Sequence, residues 1–451
     1  MCEERVLQNG RLIIHDILCL SMDADRHIGV RSILVEGGMI VDVAEGSLRS
    51  LSADRHIEGK GKVALPGLIN AHVHGDMLLA RGLGDGLDLH AQGGDSFIGG
   101  NGWFRGEFDA SSRRLSRKAQ YAEALRGGTT YLCDFLFWLD EGDDLVGPFA
   151  DVGVRGAVAF DYRRDFLSPD FREMRMAKSA VAELSAGGID PMLQGPSEES
   201  YDPALLSRVR SMADDLGLPV HLHLSETAAR KGIVAERFGA SSVKYLDSLG
   251  FFSGRVVGSH GVYLGDEDMD ILAEKGASVV SSPTAEMKIA DGIAPVPELI
   301  ARDVPVGLGS DGALWNDCSD MFEEMKNLML VQRVLKGAAS LSSYDSLYAA
   351  TMGGARALGI DKEYGSIEKG KRASIAIVDA MKLHLVPTYH GRISNVVENI
   401  VSCAKAQDVE TVIVDGEIAV ERGVPTKFDE AALIREVQGR GMGIFEGYSR
   451  P

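Results

Sequence analysis

The chain has 451 residues, 45% hydrophobic and 25% charged, with 47 basic against 66 acidic side chains and a formal charge of −19. So acidic a balance argues against nucleic acid or an anionic membrane surface as partner, because both repel it. The length exceeds one small core and predicts a large domain beside a smaller one, and 53 glycines suit many short βα turns rather than disorder. Five cysteines (Cys2, Cys19, Cys133, Cys318, Cys403) are scattered and lack any Cys-x-x-Cys, as expected of reduced thiols. The opening residues lack the apolar core of a signal peptide, and no run of ~18 apolar residues occurs. A soluble cytoplasmic protein is the expectation.

Residues 1–64 read as short strands, with Gly37-Gly38 between β-branched runs as a hairpin signal. His15, His27 and His56 fall here and read as surface residues without partners. From 65 to 365, short apolar runs alternate with helical stretches. The candidate strands are Ala64–Asn70, Thr129–Phe135, Gly156–Phe160, Asp190–Gln194, Pro219–Leu224, Val256–Ser259, Ala277–Ser281 and Val304–Gly309, with helices such as Arg114–Arg126 and Pro203–Leu216 between them. Eight strands over about 300 residues predict a (β/α)8 barrel, a fold of ~250 residues before insertions. Strands return after 366, including a second hairpin around Asp415-Gly416. Neither terminal segment is large enough to bury a sheet face alone. Residues 1–64 and 366–451 are therefore expected to assemble one small β-sandwich, with a tail from about 428 that is helical first and glycine-rich later.

Chemistry gathers at strand ends. Leu65-Pro-Gly-Leu-Ile-Asn-Ala-His-Val-His74 is an apolar strand ending in His72 and His74, two residues apart and so on one side of the strand. Convergent imidazoles at a strand end can begin a metal site. His221-Leu-His223-Leu-Ser-Glu226, Gly-Ser-His260 and Gly-Leu-Gly-Ser-Asp311-Gly follow, each where an apolar run gives way to a polar loop.

Taken in order, these residues resemble the amidohydrolase superfamily. The likeness extends to Pro66-Gly67-Leu68-Ile69, Arg126-Gly-Gly-Thr-Thr130, Gly292-Ile-Ala-Pro-Val-Pro297 and Asp311-Gly-Ala with Asp320-Met-Phe-Glu-Glu-Met325. It points to the branch holding cytosine-deaminase-like, S-adenosylhomocysteine/methylthioadenosine deaminase and chlorohydrolase proteins. The resemblance implies that His72, His74, His223 and Asp311 hold one zinc, iron or manganese ion, zinc being the first choice. It implies that Glu226 shuttles protons and that His260 lies near the reacting water. Independently, three neutral imidazoles and a carboxylate leave a position for a water of lowered pKa, Asp311 could take its proton, and His260 could steady developing charge. His221 shares the parity of His223 and reads as a packed neighbour. Strands Gly156–Phe160 and Asp190–Gln194 contain no lysine to bridge two ions, and Lys178 reads as helical, which favours a single metal.

The loops depart from the deaminase pattern. Arg81-Gly82 and the acidic pair Asp85 and Asp88 are recognisable, but a glycine-rich stretch over 89–102 replaces an expected Trp-Leu and reads as a lid or reshaped pocket. Glu107 aligns with a glutamate that contacts ribose hydroxyls in nucleoside-processing relatives. Ser197 stands where adenosine-type relatives carry a histidine, Glu286 occupies the usual asparagine, and Trp315 replaces a small serine. Together these should narrow the pocket. Arg163 and Arg164 could anchor an anionic group or form a solvated pair. The sequence-level expectation is a metal-dependent hydrolase of a small molecule, a deaminase of an N-heterocycle such as a purine, pyrimidine, pterin or triazine. The alternatives are the same attack with chloride, an alkylamine, or a urea or carbamate fragment leaving, and a non-catalytic interaction protein on the same fold. The resemblance also implies a homo-oligomer.

Overall fold

Eight short parallel strands carry the apolar runs of the middle of the chain, each followed by at least one helix or helical turn. They are β1 (Leu68–Val73), β2 (Thr129–Phe135), β3 (Arg155–Phe160), β4 (Asp190–Gln194), β5 (Val220–Leu224), β6 (Val256–His260), β7 (Ser278–Ser281) and β8 (Val306–Leu308), paired in sequence order. The structure, a computed structural model, describes residues 10–93, 108–136, 143–160 and 171–446. The strands are buried on both faces, as a parallel sheet sheathed by helices requires. No ladder joins β8 to β1. The gap is bridged by Asn70, whose amide donates to Ser310 Oγ (2.7 Å) and accepts from Ser310 N (3.0 Å), and by Asp311 N donating to His72 O (3.0 Å). The result is a nearly closed (β/α)8 barrel.

A second sheet of nine strands is built from both chain ends. Its order runs Val424–Pro425, Glu417–Glu421, Val409–Val414, Ile375–Asp379, Lys62–Pro66, Arg11–Leu20, Ile28–Glu36, Met39–Ala44, with Arg55–Glu58 also pairing to Arg11–Leu20. Leu12, Ile14, Ile33 and Val35 from one end and Ile375, Ile377 and Ile413 from the other share one apolar core. Both hairpins read from the sequence are present. Gly37 and Gly38 (φ 56° and 82°) turn one, Asp415 and Gly416 (φ 48° and 83°) turn the other, and the two tips pack against each other. The final helix, Glu430–Glu446, lies against helix Ala110–Arg126, where Arg440 reaches Asp109 (2.7 Å) and Ser112 (2.8 Å).

Three expectations need correction. The single strand expected over Ala64–Asn70 is two strands in two sheets. Lys62–Pro66 pairs with Ile375–Asp379, the chain turns at Gly67, and Leu68 begins the barrel. Gly67 is pressed onto Thr130, and a β-carbon there would overlap the threonine side chain, so continuous apolar character hid a packing-driven break. The strand expected over Val304–Gly309 is shorter, Val306–Leu308. The amino-terminal histidines are not without partners, and one is not at the surface: His15 is buried, stacks on the exposed His56 and shares a 2.8 Å hydrogen bond with it, and the exposed His27 pairs with Asp23 (2.7 Å). Among the described residues, no helix is long and apolar enough to cross a membrane.

Candidate active site

The carboxyl ends of β1, β5, β6 and β8 bring five side chains to one point. His72 is near the end of β1 and His74 directly follows it; both are buried. The two strand-parity neighbours of β5 separate in role. His223 turns its Nε2 to within 3.3 Å of His74 Nε2 and its ring to 5.2 Å from His72. His221 has both nitrogens occupied, Nε2 by Ser259 Oγ (2.7 Å) and Nδ1 by Cys133 Sγ (3.5 Å). It ties β5 to β6 and β2 and supports the site from beneath.

Asp311 closes the group. Its Oδ1 lies 3.4 Å from His74 Nε2 and 3.8 Å from His72 Nε2. The carboxylate is aimed by its own turn, in which Asp311 adopts a left-handed conformation (φ 59°) and Oδ1 accepts from Gly312 N (2.8 Å). Ser225 (φ 50°) and His260 (φ 74°), at the ends of β5 and β6, adopt the same sparsely populated conformation. Such strain persists where the surroundings over-determine it, and it clusters at functional sites.

Burial sets the charge states. It pushes His72 and His223 well below the ordinary histidine range and His74 to about 3, with neighbouring imidazoles adding to the effect, so these rings are neutral, the form in which an imidazole binds a cation. Burial likewise lifts Asp311 to about 7. His260 goes the other way. Burial alone would lower it, but the Glu226 carboxylate (3.7 Å) and Glu286 (3.6 Å) outweigh that and raise it to about 10, making it an imidazolium at neutral pH.

The donor set fits a divalent metal. Neither nitrogen of the fully buried His72 ring has a hydrogen-bond partner among the described residues. Such orphaned nitrogens are costly unless something binds them. His72, His74 and Asp311 each offer an atom within 4.8 Å of the others, and so do His72, His223 and His260. Three nitrogens and one carboxylate oxygen form a set common to zinc, iron and manganese.

Around this centre lie residues that sequence reasoning did not single out. Arg230, four residues after Glu226 on helix Ala228–Phe238, bridges Glu226 and Glu199 (2.7 Å to the latter). The helical spacing i, i+4 was the available signal. Beneath the turn after His74, Asp134 accepts from Gly75 N (2.8 Å) and from Tyr121 (2.5 Å), with the buried Arg117 guanidinium 3.9 Å away. Asp291 is buried in the loop that follows Glu286.

The loop residues scatter. Trp315 is buried edge-on to His74 (5.0 Å) and Glu286 abuts His260, so both face the centre. Ser197 caps a short turn and hydrogen-bonds Glu199, one remove from Glu226 through Arg230. Arg81 pairs with Glu123 rather than entering the site. Glu107, Arg163, Arg164 and most of the glycine-rich stretch over 89–102 lie outside the described residues.

Residues 63–419 match the amidohydrolase family. A 5-methylthioadenosine/S-adenosylhomocysteine deaminase of Carboxydothermus hydrogenoformans is 33% identical, over 94% of this chain and 97% of its own length. An adenosine deaminase from Xanthomonas campestris, solved with bound zinc, superposes with a TM-score of 0.85 at 26% identity, covering 96% of this chain and 98% of its own. An atrazine chlorohydrolase from Arthrobacter aurescens, complexed with zinc, shares the fold at a TM-score of 0.84 and 22% identity, over 95% and 100% of the two chains.

Proposed function

The chain belongs to the amidohydrolase family, and we propose that it is a deaminase using one divalent metal ion, zinc first, to hydrolyse the exocyclic amine of an N-heterocyclic small molecule. The observation that carries this reading is the convergence of His72, His74, His223 and Asp311 on one point, with Glu226 and His260 beside it. The relatives named as adenosine-type deaminases, one of them zinc-bound, support it. When bound by those four side chains, the cation would make water nucleophilic at neutral pH and orient it towards the ring carbon.

The remaining roles follow from the side chains. Asp311, aimed by the hydrogen bond from Gly312 N at the point where the imidazoles meet, is placed to accept a proton from the attacking water. Glu226 carries a proton to the ring nitrogen beside the attacked carbon, and the departing amine takes up another. One water is consumed, the carbon–nitrogen bond breaks, a carbonyl remains and ammonia leaves. Arg230 holds Glu226 in place from the following helix turn. The His260 imidazolium donates to the oxygen on which negative charge develops. Burial of Glu226, His260 and Asp311 excludes bulk water and strengthens each interaction.

Free thiols at Cys19, Cys133, Cys318 and Cys403 agree with a cytoplasmic location, and a homo-oligomer is part of the same proposal, to be read by light scattering. The test of activity is ammonia release by zinc-loaded protein across purines, pyrimidines, pterins, triazines and cyclic guanidines. Release from one ring class establishes deamination. Silence across the panel with one metal equivalent bound refutes it and moves the assignment to chloride, alkylamine or amide cleavage by the same centre.

A further inference from the structure

Helix Glu430–Glu446 ends on the catalytic face of the barrel, and no step above uses it. Leu433, Val437, Arg440 and Ile444 recur at helical spacing and so share one face. Exposure follows that face: all four are buried or half-buried, whereas Ile434, Gln438 and Met442 are exposed. The face changes company along its length. Leu433 belongs to the large core on the flank of the barrel, and Val437 packs there and also against a second apolar cluster. Ile444, only 5% exposed, joins that second cluster with Met77, Phe108, Ile289, Leu314 and Trp315. Its partners come from the segments that follow β1, β7 and β8, the same segments that carry His74, Glu286 and Asp311. Trp315 is wedged between His74, 5.0 Å away, and Gly312, where a β-carbon would come within 2.7 Å of the indole.

Arg440, one turn before Ile444, fastens the same stretch by donating to Asp109 Oδ1 (2.7 Å) and Ser112 Oγ (2.8 Å). These contacts hold turns that are weak by themselves. Gly439, Gly441 and Gly443 lie in the last two turns, none of the three with a positive φ, and a β-carbon on any of them would meet no described atom within 4 Å. Neither packing nor backbone conformation calls for glycine there. Each glycine disfavours the helical state by roughly four- to fivefold relative to alanine, so the three together make the turns separable.

We propose that the last two turns of this helix are a latch on the active-site wall. Ile444 is a positioning residue: through the cluster it shares with Trp315 it keeps that ring against His74, and release of the glycine-weakened turns lets the wall yield to substrate. Segments that close over a reaction and reopen are a common means of bringing substrate to buried groups. The inference takes the location of the centre from the reading above, but its structural readouts do not depend on the reaction.

The experiment reads the wall first. Trp103 and Trp138 are replaced by phenylalanine, leaving Trp315 alone of the three tryptophans. Acrylamide quenching and amide hydrogen exchange over residues 437–446 are then measured on zinc-loaded protein. Arg440→Ala and Ile444→Ala should each raise the quenching constant at least about twofold and speed exchange at least about tenfold, and Ile444→Val should restore both. Gly439→Ala, Gly441→Ala and Gly443→Ala combined should act oppositely, slowing exchange by up to ~100-fold. Turnover is compared on the best ring of the panel, free and N-benzylated. The loosened variants should raise kcat/KM for the benzylated ring relative to the free one by about fivefold or more, and the stiffened variant should lower that ratio and also kcat on both. Trp315 quenching unchanged in Arg440→Ala and Ile444→Ala, or a substrate-size ratio within about twofold of wild type in all three variants, overturns the proposal. Should Ile444→Ala fail to fold, Arg440→Ala and the triple-alanine variant carry the test. If quenching and exchange move as stated while no ring yields ammonia, the latch stands and the deaminase reading falls.

Discussion

Replacing Asn70 with alanine should loosen the centre without touching any residue assigned to the cation. Asn70 makes two hydrogen bonds to Ser310 across the gap between β1 and β8, and both residues are fully buried. After truncation the Ser310 hydroxyl keeps Asp311 O (3.2 Å), and Ser310 O keeps Asn316 Nδ2 (2.6 Å). The Ser310 N–H loses its acceptor in a place water does not reach. An unmet buried donor costs about 1–3 kcal/mol, and the lost side-chain bond adds about 1 kcal/mol, so a destabilisation of about 2–4 kcal/mol is expected. The next residue is Asp311, so its carboxylate should wander, weakening zinc affinity by about 10–100-fold, as is usual when a group supporting a ligand is removed. Urea unfolding of metal-free protein followed by fluorescence and circular dichroism gives the first quantity, and chelator competition the second. A loss below about 0.5 kcal/mol with unchanged zinc affinity would refute the argument that this pair closes the barrel and aims Asp311.

Three further outcomes follow from the same geometry. Asp311→Asn should abolish turnover and Glu226→Gln should lower kcat by at least ~10²-fold, read as initial rates on the best ring of the panel; a near-normal rate in Glu226→Gln removes it from proton transfer. Zinc added to metal-free protein should stabilise it by ~2.7 kcal/mol at a hundred times its Kd, seen as a raised Tm, and His72→Ala should lose that gain. Glu324, buried and pushed by burial to about 8 despite hydrogen bonds from Asn316 Nδ2 (2.8 Å) and Thr284 N (3.2 Å), should make stability fall with rising pH. An unfolded glutamate titrates near ~4.3, so between there and about 8 the folded chain holds a proton that the unfolded chain has lost. The stabilisation is complete below that window and gone above it, with a slope of at most ~1.4 kcal/mol per pH unit. Glu324→Gln should flatten the profile measured by urea unfolding between about pH 5 and 8.

What the sequence discloses about this protein divides along physical lines. Strand parity alone puts His72 with His74, and paired glycines or Asp-Gly between β-branched runs mark both hairpins, because each rule is local. The break at Gly67 is not local. It depends on Thr130, more than sixty positions away, and an unbroken apolar run cannot reveal it. Parity also could not separate His221 from His223, since what distinguishes them is Ser259 and Cys133 on neighbouring strands. Arg230 was open to an i, i+4 reading from Glu226, whereas its second partner Glu199 comes from a different loop. The fold-back that buries Asp291 beneath Glu286 requires a left-handed alanine, a conformation that residue type does not announce.

Strand Lys62–Pro66 lies between partners drawn from opposite ends of the chain, Arg11–Leu20 on one side and Ile375–Asp379 on the other, and passes through the turn at Gly67 into the strand bearing His72. During synthesis its carboxyl-terminal partner emerges some three hundred residues later than the strand itself. Until then the nascent protein presents an open row of backbone donors and acceptors beside a barrel that can already form, and such an edge invites pairing with another chain. Completion of the sheet is therefore a late checkpoint in biogenesis, set by ribosome transit rather than by the barrel. A chain ended after the barrel helices and before Ile375 should self-associate through that edge, read by size-exclusion chromatography.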